Sequence, residues 1–226
     1  MTLLAEDLLL LVLDDRTGKV VSSNLDTALG GAVLIELALA DTIEVSKGEG
    51  LWARSKVRPI ASSPRPSDPV LGNGLDLVAA KERSAQDLVV RLGKGVRRTL
   101  LERLQTRGVL RLEEDKVLGL FPRKRWPTVD SSHEDAVRRQ ISAALLEGAT
   151  PDDRTAALIA LLLAIDRAHR TVDLDGVSAR TVKKRAKEIA EGDWAAKAVR
   201  DAVAAAQAAM MAAVMASTTA ATTSSG

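Results

Sequence analysis

The chain has 226 residues, 46% of them hydrophobic and only 2% aromatic, with a formal net charge of +2. That length and composition support one aliphatic core of packed helices and disfavour an all-β sandwich, whose strands draw on aromatic and β-branched residues. The absence of cysteine excludes disulfides, thiolate zinc sites and thiol nucleophiles, and two histidines, His133 and His169, are too few for a histidine-built metal centre.

In chain order, Leu3–Leu13 reads as a helix followed by a turn over Asp14–Gly18. Its apolar stretch Leu8–Leu13 is short and bounded by acids, unlike a secretory leader. Leu25–Ala40 reads as a helix apolar nearly all round, hence buried. Gly30, Gly31 and Ala32 within it let another backbone approach closely, and Glu36 is a buried acid that needs a partner, expected to be a structural ion pair. Thr42–Val45 and Ser55–Ile60 read as short strands around a turn at Lys47–Gly50. Ser62–Gly74, with three prolines and a Gly72-Asn73-Gly74 turn, reads as a loop passing into a helix over Pro69–Arg83. Ser84-Ala85-Gln86-Asp87 is a capping signal for the next helix.

Val96–Arg107 is a basic helix stopped by Gly108. Val109–Leu112 and Lys116–Phe121 read as a hairpin around Glu113-Glu114-Asp115, and Pro122–Pro127 carries the basic run Arg123-Lys124-Arg125 beside Trp126. Ser132–Leu146 is a helix; Thr150 caps the next start, and Thr155–Arg170 continues it. Ser178–Gly192 is basic and amphipathic, Trp194–Ala216 a long alanine-rich helix, and 217–226 a polar disordered tail. The expected architecture is mainly α: a single-domain helical bundle over 1–216 with buried central helices, peripheral amphipathic helices and small β-hairpins.

Charge is unevenly placed. Residues 91–139 hold thirteen bases against seven acids, a net +6, so the remainder sums to −4. Basic side chains beside an anionic bilayer gain roughly 1 kcal/mol each. Phe121, Arg123, Lys124, Arg125 and Trp126 combine rings with bases, a pattern suited to a membrane interface. A packing role for Leu118, Leu120 and Trp126 in a small satellite core is the competing reading.

Four segments, LLAEDLLLLVLDDRTG at Leu3–Gly18, Ala28–Glu44, Val96–Leu120 and Arg154–Ala168, together resemble the Golgi phosphoprotein 3 family in order and spacing. The resemblance implies a helical bundle with a protruding hairpin that serves membrane insertion or self-association. It also implies binding of phosphatidylinositol 4-phosphate or a related anionic phospholipid headgroup. Of the family's headgroup positions, the two paired arginines fall at Lys94 and Arg97, with Arg98 a weaker neighbour. The family's tryptophan and early arginine fall at Val21 and Gly30 and are not retained. The alanine- and arginine-rich usage is similar to that of bacterial members. The expectation is a cytoplasmic protein, peripheral on the inner membrane face, with an adaptor role toward a protein cargo. A homo-oligomer through the 109–121 hairpin or the C-terminal helix is compatible with it.

No catalytic residue, metal site or cofactor is expected. The pairs Glu6-Asp7, Asp14-Asp15 and Asp152-Asp153 are adjacent in sequence and do not face each other as an acid–base pair must, so they read as caps, turns and surface charges. His133 and His169 read as structural. Two alternatives remain open: a winged-helix-like nucleic-acid binder, since a basic helix precedes a basic-tipped hairpin, and a purely structural oligomer.

Overall fold

The computed structural model describes residues 2–14, 24–46, 55–117, 121–192, 199–208 and 211; side chains of residues 46, 115–117 and 121–124 are outside that description. Among the described residues the helices are α1 (Leu4–Val12), α2 (Leu25–Leu39), α3 (Pro69–Ala80), α4 (Ala85–Gly93), α5 (Val96–Thr106), α6 (Ser132–Leu146), α7 (Asp153–Ala164) and α8 (Ala179–Glu191), with a ninth, α9, over 199–208. The fold is mainly α, as the composition favours.

The core is one aliphatic cluster. At its centre α1, α2 and α7 bury nearly every side chain, including Leu8, Leu9, Leu34, Ile35, Ile159 and Leu161. Burial all round explains why α2 lacks a polar face. The glycines of α2 set its packing. A Cβ on Gly30 would lie 2.0 Å from the Val89 carbonyl oxygen, and one on Gly93 would lie 2.1 Å from the Asp26 carbonyl oxygen. The α2 and α4 backbones therefore meet closely at the C-terminal end of α4, with a glycine on each side of the contact. Gly31 gives the same room to Ala206 of α9.

A three-stranded antiparallel sheet, β1 (Ile43–Ser46), β2 (Lys56–Pro59) and β3 (Arg83–Ser84), covers one end of the bundle. Here the structure corrects the sequence reading: α3 stops at Ala80 and Arg83 enters the sheet. The expected Gly72–Gly74 turn is instead helical, because Asp68 caps α3 by accepting from the Val70 N–H at 2.8 Å and Pro69 sits in its first turn. Ser84 caps α4 as expected, accepting from the Asp87 N–H.

The second hairpin is shifted. β4 is Glu113–Val117 and β5 is Phe121–Arg125, so the acids lie within a strand rather than at the turn. Register places Glu113 opposite Arg125, Glu114 opposite Lys124 and Asp115 opposite Arg123. Three opposite-charge cross-strand positions favour this pairing over one that leaves the acids at the tip. The start of α7 also moves: Asp152, not Thr150, is the cap, accepting from the Thr155 N–H at 2.7 Å. Thr155–Arg170 is not one helix; α7 ends at Ala164, Asp166 turns with φ 57°, and a single 3-10 turn covers Ala168–Arg170.

Candidate functional site

The sequence-derived headgroup pair sits where α4 hands the chain to α5. Gly93, the last residue of α4, is pressed against α2. Lys94 closes α4, and Gly95 turns with φ 76°, a left-handed conformation in which a side chain would be strained. Nothing lies within 4 Å of a Cβ at Gly95, so conformation rather than space selects glycine there. Gly95 offers no side-chain cap, leaving the first N–H groups of α5 without an internal acceptor.

Beside this turn lies a groove of about 410 Å³ between α3 and the α4–α5 junction. Its polar lining is Asn73, Arg91, Lys94, Arg98 and Thr99; Val33, Val70, Leu77 and Leu92 form its apolar floor. Arg91 is held by Asp87, its Nε donating to both carboxylate oxygens at 2.9 and 2.8 Å. Lys94 has no ion pair among the described residues. Arg98 is exposed and 3.8 Å from Glu102. Arg97 does not line the groove; it turns toward α2, with Nε 3.2 Å from Asp26. The structure thus brings Lys94 together with Arg98 and Arg91 and separates it from Arg97.

The remaining expected positions divide. Gly30, the family's early arginine position, faces the Val89 carbonyl and Gly93, where no side chain fits. Val21 lies outside the described residues. The backbone of Phe121, Arg123 and Lys124 forms β5, their side chains lying outside the description. Arg125 is half-buried, and Trp126 packs against the core rather than standing in solvent. Leu118, Leu120 and the tail 217–226 lie outside the described residues, and 199–208 is the largest described part of the expected C-terminal helix.

Elsewhere the bundle holds a charge network that the sequence reading placed on the surface. Glu6 and Asp7 are buried at 0% and 3% exposure, because the first turn of α1 is enclosed by α2, α5, α6 and α7. Glu6 Oε2 accepts the Leu3 N–H at 2.8 Å, and its Oε1 lies 3.3 Å from Arg103 and 2.8 Å from Arg107. Arg103 also grips Asp68 with two N–H groups at 2.9 and 2.8 Å. Arg154 of α7 donates to Glu36 at 2.6 Å, to Asp7 at 3.2 and 2.9 Å, and to the Thr2 carbonyl at 2.7 Å. The second Glu36 oxygen accepts the Leu4 N–H. His133 Nε2 lies 2.7 Å from Asp7, giving this histidine a structural place.

The expected ion pair of Glu36 is therefore present, with Arg154 as its partner. Burial pushes the Glu36 carboxyl up, and the Arg154 charge opposes this without cancelling it. Burial would also raise Asp68, but hydrogen bonds from Arg103 and the Val70 N–H outweigh it and hold Asp68 below the ordinary carboxylate value. A sequence signal existed: Glu6 and Asp7 open a helix otherwise made of leucine, and Arg103 and Arg107 are spaced i, i+4 on one face of α5.

Among the described residues no three acidic or histidine side chains gather as metal ligands, and no helix is long and apolar enough to cross a membrane. The chain matches the model of the Golgi phosphoprotein 3 (GPP34) family over residues 4–206. The chain belongs to that family. No individually curated protein matches it.

Proposed function

We propose that the protein is a binding protein rather than an enzyme. It takes the anionic headgroup of a membrane phospholipid, phosphatidylinositol 4-phosphate by likeness to its family, in the groove at the start of α5. The observation that carries this reading is the convergence of Lys94, Arg98 and Arg91 on a groove beside the uncapped N-terminus of an 11-residue helix. Unpaired N–H groups and the helix dipole favour an anion there, and the flanking bases add charge. Lys94 supplies a point charge where the family's arginine would give a fork, so recognition rests more on charge than on bidentate geometry. The β4–β5 hairpin, with Phe121 and Arg123–Arg125, supplies a second surface contact, and a protein partner would be held at the inner face of the membrane.

The nucleic-acid reading is disfavoured by α5 itself. Leu100 and Leu104 are fully buried, and Arg103 and Arg107 are turned onto Glu6 and Asp68, so α5 presents no continuous basic face to a groove.

The test is sedimentation with vesicles of phosphatidylcholine alone, with added phosphatidylinositol, and with added phosphatidylinositol 4-phosphate. The wild type should pellet with the 4-phosphate vesicles and release as salt rises. Lys94→Gln/Arg98→Gln should bind about 30-fold more weakly, from roughly 1 kcal/mol per lost base. Arg97→Gln should bind nearly as wild type. Pelleting with every anionic vesicle alike would reduce the site to an unspecific basic surface. Absence of pelleting, with salt-sensitive binding of duplex DNA, would overturn the proposal in favour of the nucleic-acid reading.

A further inference from the structure

A second cavity, larger than the headgroup groove, lies among the described residues. It is a cleft of about 990 Å³ near the other end of α5, at the upper end of the size that small-molecule sites occupy. Leu3, Leu39, Leu71, Pro66 and Pro69 give it an apolar wall. Arg103 and Arg107 line it from α5, and Asp152 and Asp153 from the start of α7.

The two guanidiniums differ in how far they are used. Arg103 is committed to Asp68 through a bidentate pair. Arg107 is held to Glu6 by charge at 2.8 Å, yet Glu6 Oε1 receives no aligned hydrogen bond although it is fully buried. The side chain of Arg107 is 37% exposed and makes no hydrogen bond among the described residues. One of its guanidinium nitrogens is thus held on Glu6, which fixes its position, and its other N–H donors are uncommitted among the described residues at the wall of a cleft. On the α7 side, Asp152 spends one oxygen on the Thr155 N–H, and Asp153 is exposed with no ion pair among the described residues.

A ligand that were only an anion would meet Arg107 but also the carboxylates of Glu36, Asp68, Asp152 and Asp153. A ligand that were only a cation would meet Arg103, Arg107 and Arg154. A molecule bearing both charges satisfies each wall. We propose that this cleft binds a zwitterionic amphiphile: its carboxylate or phosphate accepts from Arg107, its ammonium is held by Asp153 and Asp152, and its apolar part lies on the leucine–proline wall. An apolar amino acid and an aminophospholipid share this chemistry. The site is separate from the headgroup groove and does not depend on the function proposed above.

The experiment is titration calorimetry on the full chain with four probes. Two are zwitterions, L-leucine and dihexanoylphosphatidylethanolamine below its micelle concentration. Two are half-ligands, dihexanoylphosphatidylglycerol and hexylamine. At least one zwitterion should bind, the half-ligands at least tenfold more weakly, as expected for loss of a charge-assisted hydrogen bond. Binding of leucine would assign an amino-acid source; binding of the phosphatidylethanolamine alone would assign a lipid source. Arg107→Gln and Asp153→Asn should each weaken binding at least tenfold, and Lys94→Gln/Arg98→Gln should leave it unchanged. Asp153 is exposed, so Asp153→Asn decides the matter should Arg107→Gln fail to fold. Silence from both zwitterions, equal binding of a half-ligand, or full binding by Asp153→Asn would overturn the proposal.

Discussion

Gly30→Ala tests the packing of α2 on α4 directly. The added Cβ would stand 2.0 Å from the Val89 carbonyl oxygen, 2.5 Å from the Gly93 nitrogen and 3.0 Å from the Gly93 Cα. Carbon contacts are comfortable at about 3.5 Å or more. The two helices would therefore have to separate by on the order of 1 Å, loosening Leu88, Val89 and Leu92 from the core. Overpacking costs about 1–3 kcal/mol when side chains can yield. Here the colliding atoms are backbone and no rotamer relieves them, so the upper end, ~3 kcal/mol, applies. For a chain of this size that lowers Tm by about 6–12 °C. Gly72→Ala is the control: it too is helical, but its Cβ would meet only the far end of the Arg65 side chain, at 3.3 Å. That change should be neutral or stabilising by up to about 1 kcal/mol, because alanine is the better helix former. Both variants are read by helical circular dichroism during thermal unfolding. If Gly30→Ala melts within about 2 °C of the control, the close approach of the two helices is wrong. Gly30→Arg should fail to fold for the same reason.

Arg154→Gln leaves Glu36 and Asp7 buried with their main cation gone. Removing one member of a buried charge network costs about 3–5 kcal/mol, and urea unfolding should show it; a loss under 1 kcal/mol would mean that water reaches these carboxylates. Asp68 supplies the pH signature. Its folded-state value lies below the ordinary 3.8, so the stability it contributes is present above that value and lost as pH falls through the lower one. Wild type should therefore lose stability more steeply in that acid window than Asp68→Asn, and parallel acid-unfolding curves would refute the Arg103–Asp68 link.

How much of this was legible from sequence follows from the range over which each signal acts. The Ser84 cap acts over three residues and was readable. So was the burial of α2, because a helix without a polar face has nowhere else to go. The turn over Gly72–Gly74 was misread because two glycines weigh locally toward a turn, whereas Asp68, Pro69 and the packing of Leu71 and Val78 commit the segment to a helix. The hairpin was displaced because its register is set across strands, between Glu113–Asp115 and Arg123–Arg125, and no local pattern reports which residues will be opposite. Glu6 and Asp7 were placed on the surface by residue type; their partners Arg103, His133 and Arg154 lie about a hundred residues or more away in the chain.

That same distance alters the meaning of the basic segment. The net +6 of residues 91–139 suggests a broad positive face, but the fold spends much of it on acids from outside the segment. Arg91 goes to Asp87, Arg97 to Asp26, Arg103 to Asp68 and Glu6, and Arg107 to Glu6. What α5 offers a ligand is therefore local. Its first turn keeps Lys94 and Arg98 beside uncapped N–H groups, and its last turn holds Arg107 on a buried carboxylate with further N–H donors facing the cleft. The two proposed sites lie at opposite ends of one helix and differ in chemistry because the bundle neutralises different bases at each end. Neutralising only the first-turn pair by mutation should weaken the response to anionic vesicles about 30-fold while leaving the cleft unaffected.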